Sequence, residues 1–98
     1  MTFVRIWAYR PAAGAEAGFA AAYGAEGAWV GLFRRGAGYL GTELFRAPDG
    51  RWLTIDRWQS REDWDAFLAR NRPEYEATDR ACAALTAEEW NLGDWSTA

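Results

Sequence analysis

Two runs of strand-like residues, Tyr39 to Arg46 and Arg51 to Trp58, are joined by Ala47-Pro48-Asp49-Gly50. That juncture constrains the fold more than any other feature of the chain. Aromatic and β-branched residues recur through both runs, as strands require. Pro presets φ in the turn and Gly supplies a positive φ, so the two strands fold back as an antiparallel hairpin. Phe3 to Arg10 reads as an earlier strand that Pro11 ends. Between it and the hairpin, Ala12 to Tyr23 is Ala-rich with Phe19, Ala22 and Tyr23 at helical spacing. Gly24 and Gly27 interrupt that helix. A second piece, Ala28 to Arg35, carries Trp29, Leu32 and Phe33 on one side, and Gly36-Ala37-Gly38 ends it.

After the hairpin, Ser60 is an N-cap with Asp63 three positions on as its capping-box partner. Trp64, Phe67 and Leu68 give the apolar stripe of the helix that follows. Pro73 opens a further helical segment, where its missing N–H costs nothing, and Tyr75, Asp79, Cys82 and Leu85 set its period. Trp90 to Ser96 is the last strand. The order is strand, helix, strand, strand, helix, strand. This is the ferredoxin-like α+β arrangement, a four-stranded antiparallel sheet with helices on one face. Ninety-eight residues hold one such domain, spanning 1–98.

Composition removes several function classes. The net charge of −3 argues against a nucleic-acid binder, which needs a basic surface. Histidine is absent, and with it the commonest general base and metal ligand. The single cysteine, Cys82, permits neither an internal disulfide nor a thiolate metal site, so no metal or other cofactor is expected. The start, Met1 to Trp7, has no cationic stretch followed by an apolar run, so no signal peptide is expected, and no run of about 20 apolar residues offers a membrane span. The cytoplasm is the expected compartment.

Side chains alternate across a strand, so each strand has two faces to account for. Val4, Ile6 and Ala8 share one face of the first strand, and Leu40, Thr42 and Leu44 join Leu53 and Ile55 on one face of the hairpin. This aliphatic face is expected to meet the helices. The other gathers Phe3, Arg5, Trp7, Tyr9, Tyr39, Glu43, Phe45, Trp52, Thr54, Asp56 and Trp58. Left open, it exposes more apolar surface than monomers tolerate. A second copy, sheet against sheet, is the expected cover, with an aromatic pocket for a small ligand between the two sheets of a homodimer.

Phe3-Val4-Arg5-Ile6-Trp7, Gly38-Tyr39-Leu40-Gly41-Thr42-Glu43-Leu44 and Leu53-Thr54-Ile55-Asp56-Arg57-Trp58-Gln59-Ser60 together resemble the antibiotic biosynthesis monooxygenase family of dimeric α+β barrels. The strand–Trp–x–Ser–helix stretch is the most specific part. The resemblance implies a fold more firmly than an activity, since the family is chemically diverse. Some members oxygenate phenolic polyketide intermediates with O₂ and without flavin, haem or metal, and others degrade haem. In the oxygenases a Trp at the end of the third strand lines the pocket, and Trp58 matches it. The Asn that accompanies it four residues earlier is Thr54 here, which can still hydrogen-bond a substrate oxygen. The haem ligand of the haem-degrading members is a His on the following helix, and this chain has none.

With that implied chemistry, Trp58 stacks on a planar substrate or is a core residue. Arg5 stabilises a phenolate or enolate, or pairs with Glu43 or Asp56. Asp56 removes a phenolic proton if burial raises its pKa, or pairs with Arg5 or Arg57. Glu43 is the other candidate base. Trp7, Tyr39, Phe45 and Trp52 are expected as pocket walls. Trp64 and Arg80 either close the pocket or pack and solvate their helices. The leading expectation is a cofactor-independent monooxygenase acting on an electron-rich aromatic or polyketide-like molecule. The alternatives are a non-catalytic dimeric binding or stress-response module, and a cofactor-free isomerase or cyclase.

Overall fold

The computed structural model describes residues 1–98. Strands β1 (Phe3–Pro11), β2 (Tyr39–Arg46), β3 (Trp52–Trp58) and β4 (Thr86–Ser96) form one sheet in the order β2-β3-β1-β4, every neighbouring pair antiparallel. Helices α1 (Glu16–Tyr23), α2 (Ala28–Phe33) and α3 (Arg61–Cys82) cover one face, and a 3₁₀ turn (Ala83–Leu85) leads into β4. The ferredoxin-like α+β expectation is met. No helix is long and apolar enough to cross a membrane.

Local chemistry explains most boundaries. Gly14, at φ +76°, turns the chain after β1, so α1 starts at Glu16 rather than near Ala12. The Ser60 Oγ accepts from the Asp63 N–H at 3.1 Å, capping α3. The reciprocal capping-box bond is not made, because the Asp63 carboxylate lies beside Gly38. Asn71 leaves helical geometry (φ −123°, ψ 22°) and its Nδ2 donates to the Phe67 carbonyl at 3.0 Å. Helix α3 is therefore two segments joined at a kink, with Pro73 in the first turn of the second. Strand β4 begins at Thr86, four residues before the expected start.

The helices cover the face opposite to the one expected. Phe3, Tyr9 and Trp58 belong to one buried cluster with Phe19, Tyr23, Trp29, Phe33, Trp64 and Phe67, and Trp7 and Trp52 pack against it. Burying Phe3, Trp7, Tyr9, Trp52 and Trp58, at 150–250 Å² apiece, is worth on the order of 20 kcal/mol gross. Val4, Ile6, Ala8, Leu53 and Ile55 offer roughly 10. With helices enough for one face only, the aromatic face wins.

The aliphatic residues line the outer face with the β4 side chains that pair beside them. Trp95 stands opposite Val4 and Trp90 opposite Ala8. Trp95, Phe45 and Trp90 are 58%, 47% and 38% exposed. This outer layer is the apolar patch that needs an explanation.

A bulge decides which hairpin residues face the helices. Tyr39 pairs with Trp58 and Gly41 with Arg57, so Leu40 is an extra residue, and Gly41 takes φ +137°. One extra residue inverts every side chain after it. Thr42 and Leu44 thus point inward beside Asp56 and Thr54, while Glu43 and Phe45 point outward beside Ile55 and Leu53.

Trp58, with no exposed surface, is wedged against the loop after α2. A Cβ at Gly36 would stand 2.6 and 2.8 Å from its ring atoms and 3.0 Å from Phe67, whereas one at Gly31 meets nothing within 4 Å. Gly36→Ala is expected to lower stability by about 1–3 kcal/mol through overpacking. Gly31→Ala, inside α2, should leave it unchanged or raise it by up to about 1 kcal/mol. Urea denaturation of the two variants checks both.

Candidate functional site: an aromatic cavity with a buried carboxylate

The inner sheet face and the helices do not close completely on each other. Between them lies a cavity of about 140 Å³. Arg5, Trp7 and Tyr9 of β1, Thr42 of β2, and Thr54 and Asp56 of β3 form its floor. Tyr23, Trp29, Phe33, Trp64 and Tyr75 from the three helices form its roof, and Asp79 and Glu89 add two carboxylates. The cavity is thus built within one chain, between sheet and helices, and not between two sheets as expected.

Asp56 is the most perturbed acid on this wall. Burial pushes its carboxyl up to about 6, against the opposing pull of a hydrogen bond from Thr42 and the nearby Arg5 charge. The Thr42 hydroxyl donates to Asp56 Oδ1 at 2.7 Å and lies 2.6 Å from the Tyr39 hydroxyl. Because the Thr42 hydrogen is committed to Asp56, the Tyr39 hydroxyl donates to Thr42, giving a chain Tyr39–Thr42–Asp56. No guanidinium forms a salt bridge with Asp56.

Arg5 sits directly across the ladder from Asp56 but turns its Nε to Asp94 Oδ1 at 3.0 Å. Its guanidinium carbon lies 4.2 Å from the centre of the Trp64 ring. The expected partners of Arg5, Glu43 and Asp56, are both corrected to Asp94. Its position on β4, opposite Arg5, follows a bulge at Leu92 that sequence alternation does not reveal.

The structure brings Arg5, Trp7, Thr54, Asp56 and Trp64 together on the cavity wall. It separates the others. Trp58 packs among Phe33, Tyr39, Trp64 and Phe67, in the core and off the cavity wall. Tyr39 stands behind Thr42 and touches the site through it. Trp52 packs on Phe19 and under Arg46, outside the lining. Glu43 lies on the outer face, where Arg57 donates to it at 2.7 Å, and Phe45 is exposed there. The bulge carries both away from the pocket they were expected to line. Arg80 is exposed and also lies off the cavity wall.

Sequence reading missed Thr42, which strict alternation put on the aliphatic face, away from the expected pocket. It also missed Tyr23, Trp29, Phe33, Tyr75, Asp79 and Glu89, whose convergence is tertiary. Gly41 was the one available signal for Thr42, since glycine within a strand often marks a bulge. No group of three His, Cys, Asp or Glu side chains is placed to hold a metal ion.

The family model described as antibiotic biosynthesis monooxygenase matches residues 2–81. Among curated proteins, none matches the chain. Among solved structures, Rv0793 from Mycobacterium tuberculosis superposes with a TM-score of 0.70 at 19% identity, covering 100% of this chain and 99% of that one. PA3566 from Pseudomonas aeruginosa gives 0.69 at 19% identity, covering 99% and 94%. SnoaB from Streptomyces nogalater, a cofactor-independent oxygenase, gives 0.63 at 24% identity, covering 99% and 91%. At these identities the likeness to solved structures is one of fold.

The raised Asp56 pKa has a consequence for stability. A carboxyl that holds its proton more tightly when folded stabilises the native state fully below the ordinary carboxylate range. That contribution is lost as the pH rises through about 6. Asp56→Asn keeps an acceptor for Thr42 and removes the buried charge. The variant should be more stable than the parent by about 1–3 kcal/mol at pH 8, with the gap closing toward pH 4. Urea titrations at the two pH values measure it.

Proposed function

Because this chain belongs to the antibiotic biosynthesis monooxygenase family, we propose that its cavity binds an electron-rich aromatic or polycyclic molecule and oxygenates it with O₂, the substrate itself supplying the electrons. The observation that carries this reading is Asp56: a half-buried carboxylate without a salt bridge, on the wall of an aromatic cavity, with its pKa raised to about 6. Such a group is ionised at neutral pH and more basic than an ordinary aspartate, as a general base should be.

For a substrate with an activated CH₂, Asp56 removes a proton and leaves a delocalised carbanion. The carbanion passes one electron to O₂, and the radical and superoxide combine into a peroxide anion that takes the proton back from Asp56. Loss of the second C–H proton to Asp56 breaks the O–O bond, leaving C=O and hydroxide. The hydroxide then collects the proton as water. CH₂ and O₂ thus become C=O and H₂O. Trp7 and Trp64 flank the ring system, Thr54 offers a hydroxyl to it, and the aromatic walls exclude water. Arg5, held by Asp94 and Trp64, supplies a fixed positive charge toward the anion. Thr42 and Tyr39 are positioning residues for Asp56.

In this proposal the protein works as a homodimer in the cytoplasm, where a lone thiol such as Cys82 stays reduced. The outer sheet face supports the assembly: Phe45, Trp90 and Trp95 stand exposed over an aliphatic layer, and a second copy is the simplest cover.

Oxygen uptake with anthrone and metal-free protein tests the chemistry. The rate should rise with pH and level off above about 6, and Asp56→Asn should lower it about 10²–10⁴-fold and abolish that inflection. Quenching of tryptophan fluorescence by anthrone without uptake would leave a binding module instead. Light scattering tests the assembly: twice the 11.0 kDa chain mass is expected, and the single mass for the double variant Phe45→Glu, Trp95→Glu.

A further inference from the structure

Arg5 is the one cation on the cavity wall, and it stands between two carboxylates. On the central strand it pairs with Asp56 of β3 on one side and with Asp94 of β4 on the other. Directly opposed residues share a face with Cβ atoms about 4.5–5.5 Å apart, so either carboxylate is within reach of the guanidinium. The guanidinium is committed to Asp94, with Nε donating to Oδ1 at 3.0 Å. The Trp64 ring, 4.2 Å from its central carbon, backs it in that position. Asp56 is left with one bond, from the Thr42 hydroxyl to Oδ1, and its Oδ2 accepts none.

Asp94 reaches this level of the sheet through an irregularity in β4. Trp7 pairs with Asn91 and Ile6 with Gly93, so Leu92 is an extra residue. Gly93 takes φ +101°, and its N–H donates to the Asn91 side-chain oxygen at 2.7 Å. In a regular ladder Asp94 would stand opposite Val4, on the outer face. The bulge moves it one place, opposite Arg5 and onto the inner face. Strand β4 lies beyond residues 2–81, the span the family model matches, so family membership does not supply this arrangement.

We propose that Asp94 is a positioning residue: by holding Arg5 on the β4 side of β1, it keeps the guanidinium from closing a salt bridge with Asp56 and leaves that carboxylate free to take a proton. The proposal rests on Asp56 being the base of the proposed oxygenase. It adds the residue that decides how basic Asp56 is.

Without Asp94, the carboxylate left directly across the ladder from Arg5 is Asp56. An opposite charge in contact lowers a carboxyl pKa by about 1–3, enough to bring Asp56 from about 6 back to the ordinary carboxylate range. The other titratable groups around the pair do not compensate. Burial holds the phenols of Tyr9 on β1, Tyr23 on α1, Tyr39 on β2 and Tyr75 on α3 above their usual range, so they stay neutral. Helix α2 contributes Trp29 and Phe33 and no charge. Asp79 of α3 and Glu89 of β4 line the cavity, and neither forms a salt bridge with Arg5.

A carbon-13 NMR titration of the aspartate carboxyls, with the Asp56 signal assigned through Asp56→Asn, reads the effect without turnover. Asp56 should titrate at about 6 in the parent and at about 4 in Asp94→Asn. Asp94→Ser repeats the test if the Asn variant does not fold. Asp94→Glu keeps the charge and should stay near the parent value. In the double variant Asp94→Asn, Arg5→Gln, Asp56 should return to about 6 or above, because the cation that would pair with it is gone. That return separates charge from packing: a β4 that merely loosened and admitted water would leave the double variant as low as the single one. An Asp56 unmoved in Asp94→Asn, one that stays low in the double variant, or a fall in Asp94→Glu as large as in Asn would overturn the proposal. With anthrone, the pH at which oxygen uptake levels off should fall together with the Asp56 titration, and the neutral-pH rate should drop about tenfold for the weaker base. Titrations as expected with no uptake in any variant would sink the oxygenase reading alone. Uptake whose inflection does not move in Asp94→Asn would sink the Asp94 assignment alone.

Discussion

Rigid aromatic rings hold the helices off the sheet, and the rest of the molecule follows from that spacing. Trp58 is the central spacer. It stacks its volume against Phe33, Trp64 and Phe67, with Gly36 as the one residue small enough to sit over its edge. Aliphatic side chains in those positions could adjust rotamers and let the layers settle together. Two-torsion rings adjust less, and where they meet edge to face they leave gaps. Beyond Trp58, toward Trp7 and Tyr9, the layer of rings is incomplete and the cavity begins. The residue that the family resemblance places in the pocket wall here shapes the pocket from behind.

The bulge at Leu40–Gly41 divides labour between the two sheet faces. By inverting β2 it delivers Thr42 to Asp56, where a hydroxyl is needed to hold a carboxylate in an apolar setting. The same inversion sends Glu43 and Phe45 outward. On the outer face Glu43 finds Arg57 at an exposed site, a pair worth at most about 1 kcal/mol. Phe45 joins Trp90 and Trp95 in an apolar surface. A single inserted residue thus contributes to the inner site and to the outer surface proposed for assembly.

Much of the fold was legible in the sequence because its signals are local. The Pro48-Asp49-Gly50 turn, the Ser60 cap, the glycine breaks and Pro73 each act within a few residues, and each lies where its chemistry required. The capping-box return bond failed because Asp63 meets Gly38 from another element, which no local rule anticipates. The site was legible only in part. Arg5, Trp7, Thr54 and Asp56 share a face by simple alternation on β1 and β3, which are regular where they pair. Glu43, Phe45 and Thr42 were misassigned because alternation fails across a bulge. The choice of face failed for a different reason: burial capacity, and not aliphatic character, decides which surface the helices take. Asp94 and Glu89 reach the site through the bulged β4 register, and a tertiary pairing of that kind has no sequence signature.

The polar groups of the cavity carry a cost that the aromatic layer must offset. Raising Asp56 to about 6 amounts to about 3 kcal/mol at neutral pH. Domains of this size have total stabilities of only about 5–15 kcal/mol, so this one group takes up a large share. Asparagine at position 56, of the same shape and without the charge, leaves the packing intact and relieves the cost. A sequence selected for stability alone would carry it. That this chain instead keeps an acid of raised pKa on the cavity wall, while pairing Arg5, Glu43 and Asp49 elsewhere, is what distinguishes a binding site from an imperfection of packing.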